Sequence, residues 1–199
     1  MCSNMPPLEL AIQFHGHICP GLLMGIRAAE FAMDKLEINR AEDEELLAVV
    51  ETNSCGVDAI QAILGCTLGK GNLMVKDYGK AVYTIANRGT NKALRIAQKY
   101  EALNTPVMDR FRAYKEQTNL TETQKNEMEQ LLGEVFEYIM TRPFEELFKW
   151  TDVEFDFPPK AQIKPTLQCS VCGEGVMETR ASLVENNIIC PSCRIASGG

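Results

Sequence analysis

Four cysteines near the C-terminal end stand as two C-x2-C pairs, "CSVC" at 169–172 and "CPSC" at 190–193, with seventeen residues between the pairs. Each pair forms a tight turn that aims two thiolates at one point, and a tetrahedral ion takes four such ligands. Cys169, Cys172, Cys190 and Cys193 therefore read as one metal site. Zinc is the favoured ion; two disulfides or a rubredoxin-like iron centre are the alternatives. The intervening "METRASLVENNIIC" suits a hairpin turning near Asn186-Asn187. So short a segment buries too little apolar surface to fold alone, and metal binding supplies its folding energy. From Lys164 onward, Lys164, Arg180 and Arg194 are balanced by Glu174, Glu178 and Glu185, which leaves no electrostatic footprint for nucleic acid. A structural or protein-contacting role follows for this module.

The metal reading assumes reduced thiols. The N-terminal "MCSNMPPLELAIQ" lacks the charged and long apolar regions of a signal peptide, and no apolar run reaches the ~20 residues of a membrane span. The expectation is a cytoplasmic protein with no membrane partner. A net charge of −7 speaks against a non-specific nucleic-acid binder. At 199 residues the chain has room for one well-cored domain and a small appendage.

The boundary falls at the proline-rich "FDFPPKAQIKP", which separates a core over 1–157 from a four-cysteine module over 158–199. In the core, "GLLMGIRAAEFAMDKLEI" places Leu22, Leu23, Ile26, Ala29 and Met33 on one helical stripe, with Pro20 suited to the first turn. "LLAVVET" reads as a buried strand and "GVDAIQAILG" as a short helix; "LMVKDYGKAVYTIA" suggests two strands around a turn at Asp77-Tyr78-Gly79. Residues from about Asn91 to Arg142 read as helical, with "TETQ" at 121–124 forming a capping box. The fold class expected is α+β, a core with a mixed or antiparallel sheet and several helices, followed by a zinc ribbon.

The remaining chemistry gathers at "FHGHICPG" (14–21), which holds both histidines of the chain beside a thiol. Cys19 precedes a proline and is pushed toward extended backbone. If that extended path reaches back to residue 15, alternation turns His15, His17 and Cys19 to one side; a helix running on through residue 17 would scatter them. Cys55 lies between the strand and the short helix, where a helix N-terminus lowers a thiol pKa. Thiolate and imidazole together suit a transition metal. Cys55 with His17 also suits a nucleophilic pair. The plainer alternative is a cysteine that fills the core and histidines that cap or pack, and Cys66 has only that reading. Cys2 stands in a featureless start. "GCTLGKGN" fails as a phosphate loop because Gly65 and Gly69 are one residue too close and Gly71 follows Lys70. It is either a turn that offers Lys70 and Asn72 to an anion or a plain connection.

"FHGHICPGLLMGIRAAEFA", "NSCGVDAIQAILGCTLGKGNL" and "DYGKAVYTIANR" resemble, in order, the blocks of the FmdE family, named after one component of formylmethanofuran dehydrogenase. "CSVCGEGVMETRA…CPSC" resembles the ribbon that ends many members. The resemblance implies an α+β homodimer with a cleft around the His-Cys motif. It implies a second transition metal there, zinc by preference, carried onto His17 and Cys55 first and onto His15 and Cys19 beside them. Asp58, Gln61, Lys70, Asn72, Asp77 and Lys80 match family positions and would line or brace the cleft. The dehydrogenase behind the family name is a molybdenum or tungsten enzyme of one-carbon metabolism, but the chain shows no molybdopterin or iron–sulfur motif. Two classes of function stand. One is a metal-dependent enzyme, or a component of one, acting on a small C1 or cofactor-linked substrate. The other is a metal-binding partner or regulatory module whose ribbon contacts protein or nucleic acid.

Overall fold

In the computed structural model, which describes residues 5–196, all five residues of β1 (Leu46–Val50) are buried. Strand β2 (Leu73–Val75) pairs parallel with β1 on one side, and β3 (Val82–Asn87) pairs antiparallel on the other. Two further antiparallel strands, β4 (Lys92–Gln98) and β5 (Phe148–Asp152), complete a mixed sheet of order β2-β1-β3-β4-β5. Helices α1 (Pro7–His15), α2 (Pro20–Leu36), α3 (Gly56–Leu64), α4 (Pro106–Lys115) and α5 (Glu122–Thr141) share one apolar core with the sheet. That core takes alternate strand residues: Leu46, Ala48 and Val50 from β1, Tyr83 and Ile85 from β3, Leu94 and Ile96 from β4. A short α6 (Phe144–Leu147) leads into β5 and stacks Phe144 between Phe31 and Phe148. The fold is α+β, as the sequence predicts.

Several local expectations hold for stated reasons. Pro20 opens α2, and Leu22, Leu23, Ile26 and Ala29 are buried along it. Thr121 and Gln124 form both bonds of the capping box that starts α5. Others are corrected. β2 and β3 do not form a hairpin, because β1 lies between them. The 76–80 connection instead crosses the C-terminal end of β1, where Lys76 N–H donates to Val50 O and Tyr78 and Lys80 N–H donate to Glu51 O. The stretch from Asn91 is not continuously helical either. Ala93, Leu94, Ile96 and Ala97 are buried in β4, a spacing that mimics a helical stripe. It arises because small alanines occupy one sheet face while Leu94 and Ile96 fill the other. Asn91, at φ 55°, closes the β3–β4 turn.

The chain divides into two compact units, residues 1–158 and 159–199. Within the first, the segment after β5 stays against the sheet: Val153 N–H donates to Ala93 O at 3.0 Å, and the Arg88 guanidinium holds Pro158 O at 2.8 Å. The second unit pairs β6 (Thr166–Gln168) with β7 (Gly175–Met177) and β8 (Ser182–Val184) with β9 (Asn187–Ile189), then ends in α7 (Pro191–Ala196). The β8–β9 turn is Glu185-Asn186, one residue earlier than expected, and both residues take positive φ as a type I′ turn demands. Cys2 lies outside the described residues. Among the described residues, no helix is long and apolar enough to cross a membrane.

Candidate metal centre

His15 is the last residue of α1. Gly16, at φ 91°, ends the helix in a left-handed turn that most side chains avoid, and its N–H closes on Ile12 O at 2.8 Å. The chain then runs to Cys19, which is extended (φ −150°, ψ 161°) and caps α2, its Sγ accepting from Leu22 N–H at 3.4 Å. Strand-like alternation thus does not extend back to residue 15, and a helix does not run to residue 17. The turn at Gly16 brings the three side chains together by another route: one ligand atom each from His15, His17 and Cys19 lies within 4.8 Å of the others.

The second wall is α3. Gly25 of α2 rests on Gly56, so closely that an added Cβ at Gly25 would lie 2.6 Å from Gly56 Cα and 2.9 Å from Ala59 Cβ. Gly21, one turn earlier, faces Cys55, whose Cβ would be 3.4 Å from a Cβ placed there. This contact sets the N-terminal ends of α2 and α3 side by side. From α3, Asp58 Oδ2 accepts from His15 Nδ1 at 2.7 Å, while Asp58 Oδ1 accepts from Gln61 Nε2 at 3.3 Å. A carboxylate only accepts here, so Nδ1 carries a proton, and in the neutral ring Nε2 keeps its lone pair for a metal ion. His15 Nε2 lies 3.8 Å from Cys19 Sγ. Two donors on a tetrahedral zinc, with bonds of about 2.1 and 2.3 Å, stand about 3.6 Å apart, so the pair fits one ion. Burial raises the Cys19 thiol above its ordinary value; the Leu22 N–H opposes this and the neighbouring Cys55 sulfur adds to it. Cys55 is thus beside Cys19, yet outside the close trio.

Lys70 and Asn72 hold the loop rather than offer free donors. Lys70 Nζ donates to the carbonyls of Ala41, Glu42 and Asp43 at 3.1–3.3 Å. Asn72, 1% exposed, donates to Asp43 O and Leu46 O and accepts from Thr67 N–H. Asp77 shapes the next turn by accepting from Gly79 N–H, and the Lys80 side chain is exposed. Cys66 is fully buried in the core, and burial pushes its thiol up to about 12.

In the second unit Cys169, Cys172, Cys190 and Cys193 bring their sulfurs within 4.8 Å of one another. Cys172 and Cys190 Sγ are 3.9 Å apart, close to the roughly 3.8 Å expected of two thiolates on one zinc. Backbone N–H groups of Cys172, Cys190 and Val171 lower the Cys169 thiol to about 6. Hydrogen bonding to Cys190 and then Cys172 pushes Cys193 up to about 12. Four sulfurs this close cannot all ionise without a cation among them. Both clusters therefore have donor sets and spacings that could hold a metal ion.

The family described as "FmdE, Molybdenum formylmethanofuran dehydrogenase operon" matches residues 14–149. The chain belongs to the FmdE family. Its core unit carries the family match, and both the His15–Cys19 segment and Cys55 fall inside it. The FmdE chain is 33% identical over 186 residues to a protein of Archaeoglobus fulgidus described as a probable S-adenosyl-L-methionine-binding protein. That match takes in 85% of this chain and 48% of the relative, so the chain spans about half of the relative's length. A crystal structure of a tungsten formylmethanofuran dehydrogenase FmdE-like protein from Syntrophus aciditrophicus superposes with a TM-score of 0.64. It is 21% identical, covering 96% of this chain and 92% of that one, a likeness of fold.

Two features of this FmdE core escape motif reading. One is the Gly21-x3-Gly25 spacing on α2, which with Gly56 marks a close helix crossing. The other is Tyr83, whose ring is 2% exposed and whose hydroxyl packs on the spot a Gly56 side chain would need. Burial first, then the Cys55 charge, pushes that phenol up to about 12. The Asp58 contact yields a prediction: Asp58→Asn should weaken metal binding at the core roughly 10- to 100-fold. Competition against a chromophoric chelator would measure it, and an unchanged affinity would remove Asp58 from the site.

Proposed function

We propose that the core of this FmdE protein is a catalytic metal centre, with zinc the favoured ion, acting on a small C1 or cofactor-linked substrate, and that the ribbon holds a structural zinc. The supporting observation is the donor count. His15, His17 and Cys19 form a close trio, and Cys55 stands just outside it. Three protein ligands with a place left over is the pattern of catalytic zinc, while four is that of structural zinc. Bound there, zinc would supply Lewis acidity and a water of lowered pKa. The chain's own groups would do the rest. Asp58 holds His15 in the tautomer that frees Nε2, and Gln61 fixes Asp58. Cys55 and His17 would meet a substrate, Cys55 as nucleophile or entering ligand and His17 from the exposed edge of the trio.

The alternative is a closed four-ligand site with Cys55 as the fourth donor, which suits a non-catalytic metal-binding partner or regulatory module. The name of the Archaeoglobus relative adds S-adenosyl-L-methionine as a candidate small molecule, to be tested by equilibrium dialysis of the full chain. A homodimer is part of the proposal and is tested by sedimentation equilibrium. For the centre itself, protein purified without added metal should carry about two metal equivalents per chain, and His17→Ala should lose one of them. Unchanged metal content in His17→Ala would overturn the core site.

A further inference from the structure

Tyr83 belongs to β3, where it joins the apolar core, and it is 2% exposed. A tyrosine buried this deeply ordinarily finds a hydrogen-bond partner for its hydroxyl. None of the hydrogen bonds among the described residues involves Tyr83 Oη, although every enclosed side-chain nitrogen or oxygen there has a partner. The oxygen therefore keeps an opening to solvent while the ring below it is enclosed. Its surroundings locate that opening. A Cβ added at Gly56 would strike Tyr83 Oη, with Tyr83 Cζ and Gly21 O each 3.2 Å away. The same first turn of α3 carries Cys55, whose charge acts on this phenol. Gly56 has no side chain, so the hydroxyl lies directly against the backbone at the start of α3.

A phenol fixed by its ring, unpartnered at its oxygen and set beside the ends of two helices is a donor waiting for an acceptor. We propose that Tyr83 is a ligand-contacting residue of the core cleft, its hydroxyl donating a hydrogen bond to the carboxylate or carbonyl oxygen of a small ligand that enters beside Cys55. This rests on the metal-centre reading above, since the ligand is one that would share the cleft with the bound ion. Cys55, Gly56 and Gly21 form the rim from which the ligand is approached, and the aromatic ring excludes water beneath it. The geometry also accounts for glycine at position 56, where any side chain would displace the hydroxyl.

The test uses the full chain with cobalt(II) in place of the native metal and formate as the probe, read by the cobalt d–d absorption. 1-Methylimidazole is the control, because its distal ring nitrogen carries a methyl group and can neither accept from a phenol nor donate to one. Tyr83→Phe should keep both cobalt equivalents, weaken formate about tenfold, as loss of a hydrogen bond to a charged group implies, and leave 1-methylimidazole within about twofold. Equal weakening of both probes, or unchanged formate affinity, would overturn the proposal in favour of a packing role. Absence of a second cobalt equivalent in the parent chain, seen before any probe is added, would sink the metal-centre reading instead and this proposal with it. Should Tyr83→Phe fail to fold, the parent chain labelled with 3-fluorotyrosine decides. Of its five tyrosines, Tyr83 is the one that is buried, and its fluorine signal is the one that remains as Phe replaces Tyr78, Tyr100, Tyr114 and Tyr138 one at a time and removes each of the others. That signal should shift on formate addition; a signal that stays in place would refute the contact.

Discussion

A Cys190→Ser chain is expected to lose one metal equivalent and the whole fold of residues 166–196 while its core melts unchanged. The reason lies in what the second unit buries. Among its described residues, Cys169 at 1% and Cys190 at 6% are the only buried ones. Val171, Met177, Leu183 and Ile195 are all more than half exposed, so no apolar core stands behind the hairpins. An ion held by the four cysteines would supply the stability, since its apparent binding free energy in comparable four-ligand peptides is about 10–16 kcal/mol. Cys190 is also the joint between the two knuckles, because its N–H donates to Cys169 Sγ at 3.3 Å. A serine oxygen replaces neither the thiolate nor its softness. Metal analysis with amide-resolved NMR would show the loss, and the separate unit 1–158 should keep its dispersed signals. Full metal retention in Cys190→Ser would end the four-cysteine assignment.

The second large effect concerns Gly25. Gly25→Val should destabilise the core by about 4 kcal/mol and weaken metal binding at the proposed core site roughly 10- to 100-fold. A methyl group at this position meets Gly56 Cα at 2.6 Å and Ala59 Cβ at 2.9 Å, and backbone atoms cannot rotate aside. Overpacking a well-packed core costs about 1–3 kcal/mol and occasionally more, and valine brings two further methyl groups. Alanine would recover about 1 kcal/mol through its helix propensity; β-branched valine recovers less. To relieve the clash α2 must part from α3, which carries Cys19 away from Cys55 and His15 away from Asp58. Urea unfolding and metal content are read on the same sample. Wild-type stability for Gly25→Val would show that the two helices do not meet as closely as described.

What the sequence reveals and what it hides follow from how local each cause is. α2 is legible because Pro20, the apolar stripe and the cysteine cap all lie within one short segment. The capping box of α5 is legible for the same reason. β4 is hidden because Ala93, Leu94, Ile96 and Ala97 repeat with a helical spacing, and only pairing with β3 and β5 decides otherwise. The supposed β2–β3 hairpin fails similarly: a tight turn at Asp77–Gly79 is present, but an earlier strand takes the place between its arms. At the site, the grouping of His15, His17 and Cys19 is readable from their closeness in sequence, while its geometry is not. Gly16 produces the grouping by a left-handed turn rather than by alternation. The packing of Tyr83 against Gly56 leaves no local mark at all, since it arises from β3 lying under the start of α3.

The three close donors of the core lie within five residues of one another, whereas the ribbon's two pairs are joined through an 18-residue step between Cys172 and Cys190. This difference governs how each ion couples to folding. A ligand stabilises a fold only to the extent that it prefers the folded chain over the unfolded one. An unfolded ribbon offers two distant half-sites, so nearly all of its affinity depends on structure. An unfolded core still presents His15, His17 and Cys19 as a local chelate, and folding adds chiefly the Asp58 brace from 43 residues away. Saturating metal should thus raise the melting point of the ribbon far more than that of the core. During synthesis the contrast becomes one of sequence in time. Under the proposed core site, an ion would be captured by the nascent segment before any strand of the sheet exists, and the sheet would then close around a site already loaded.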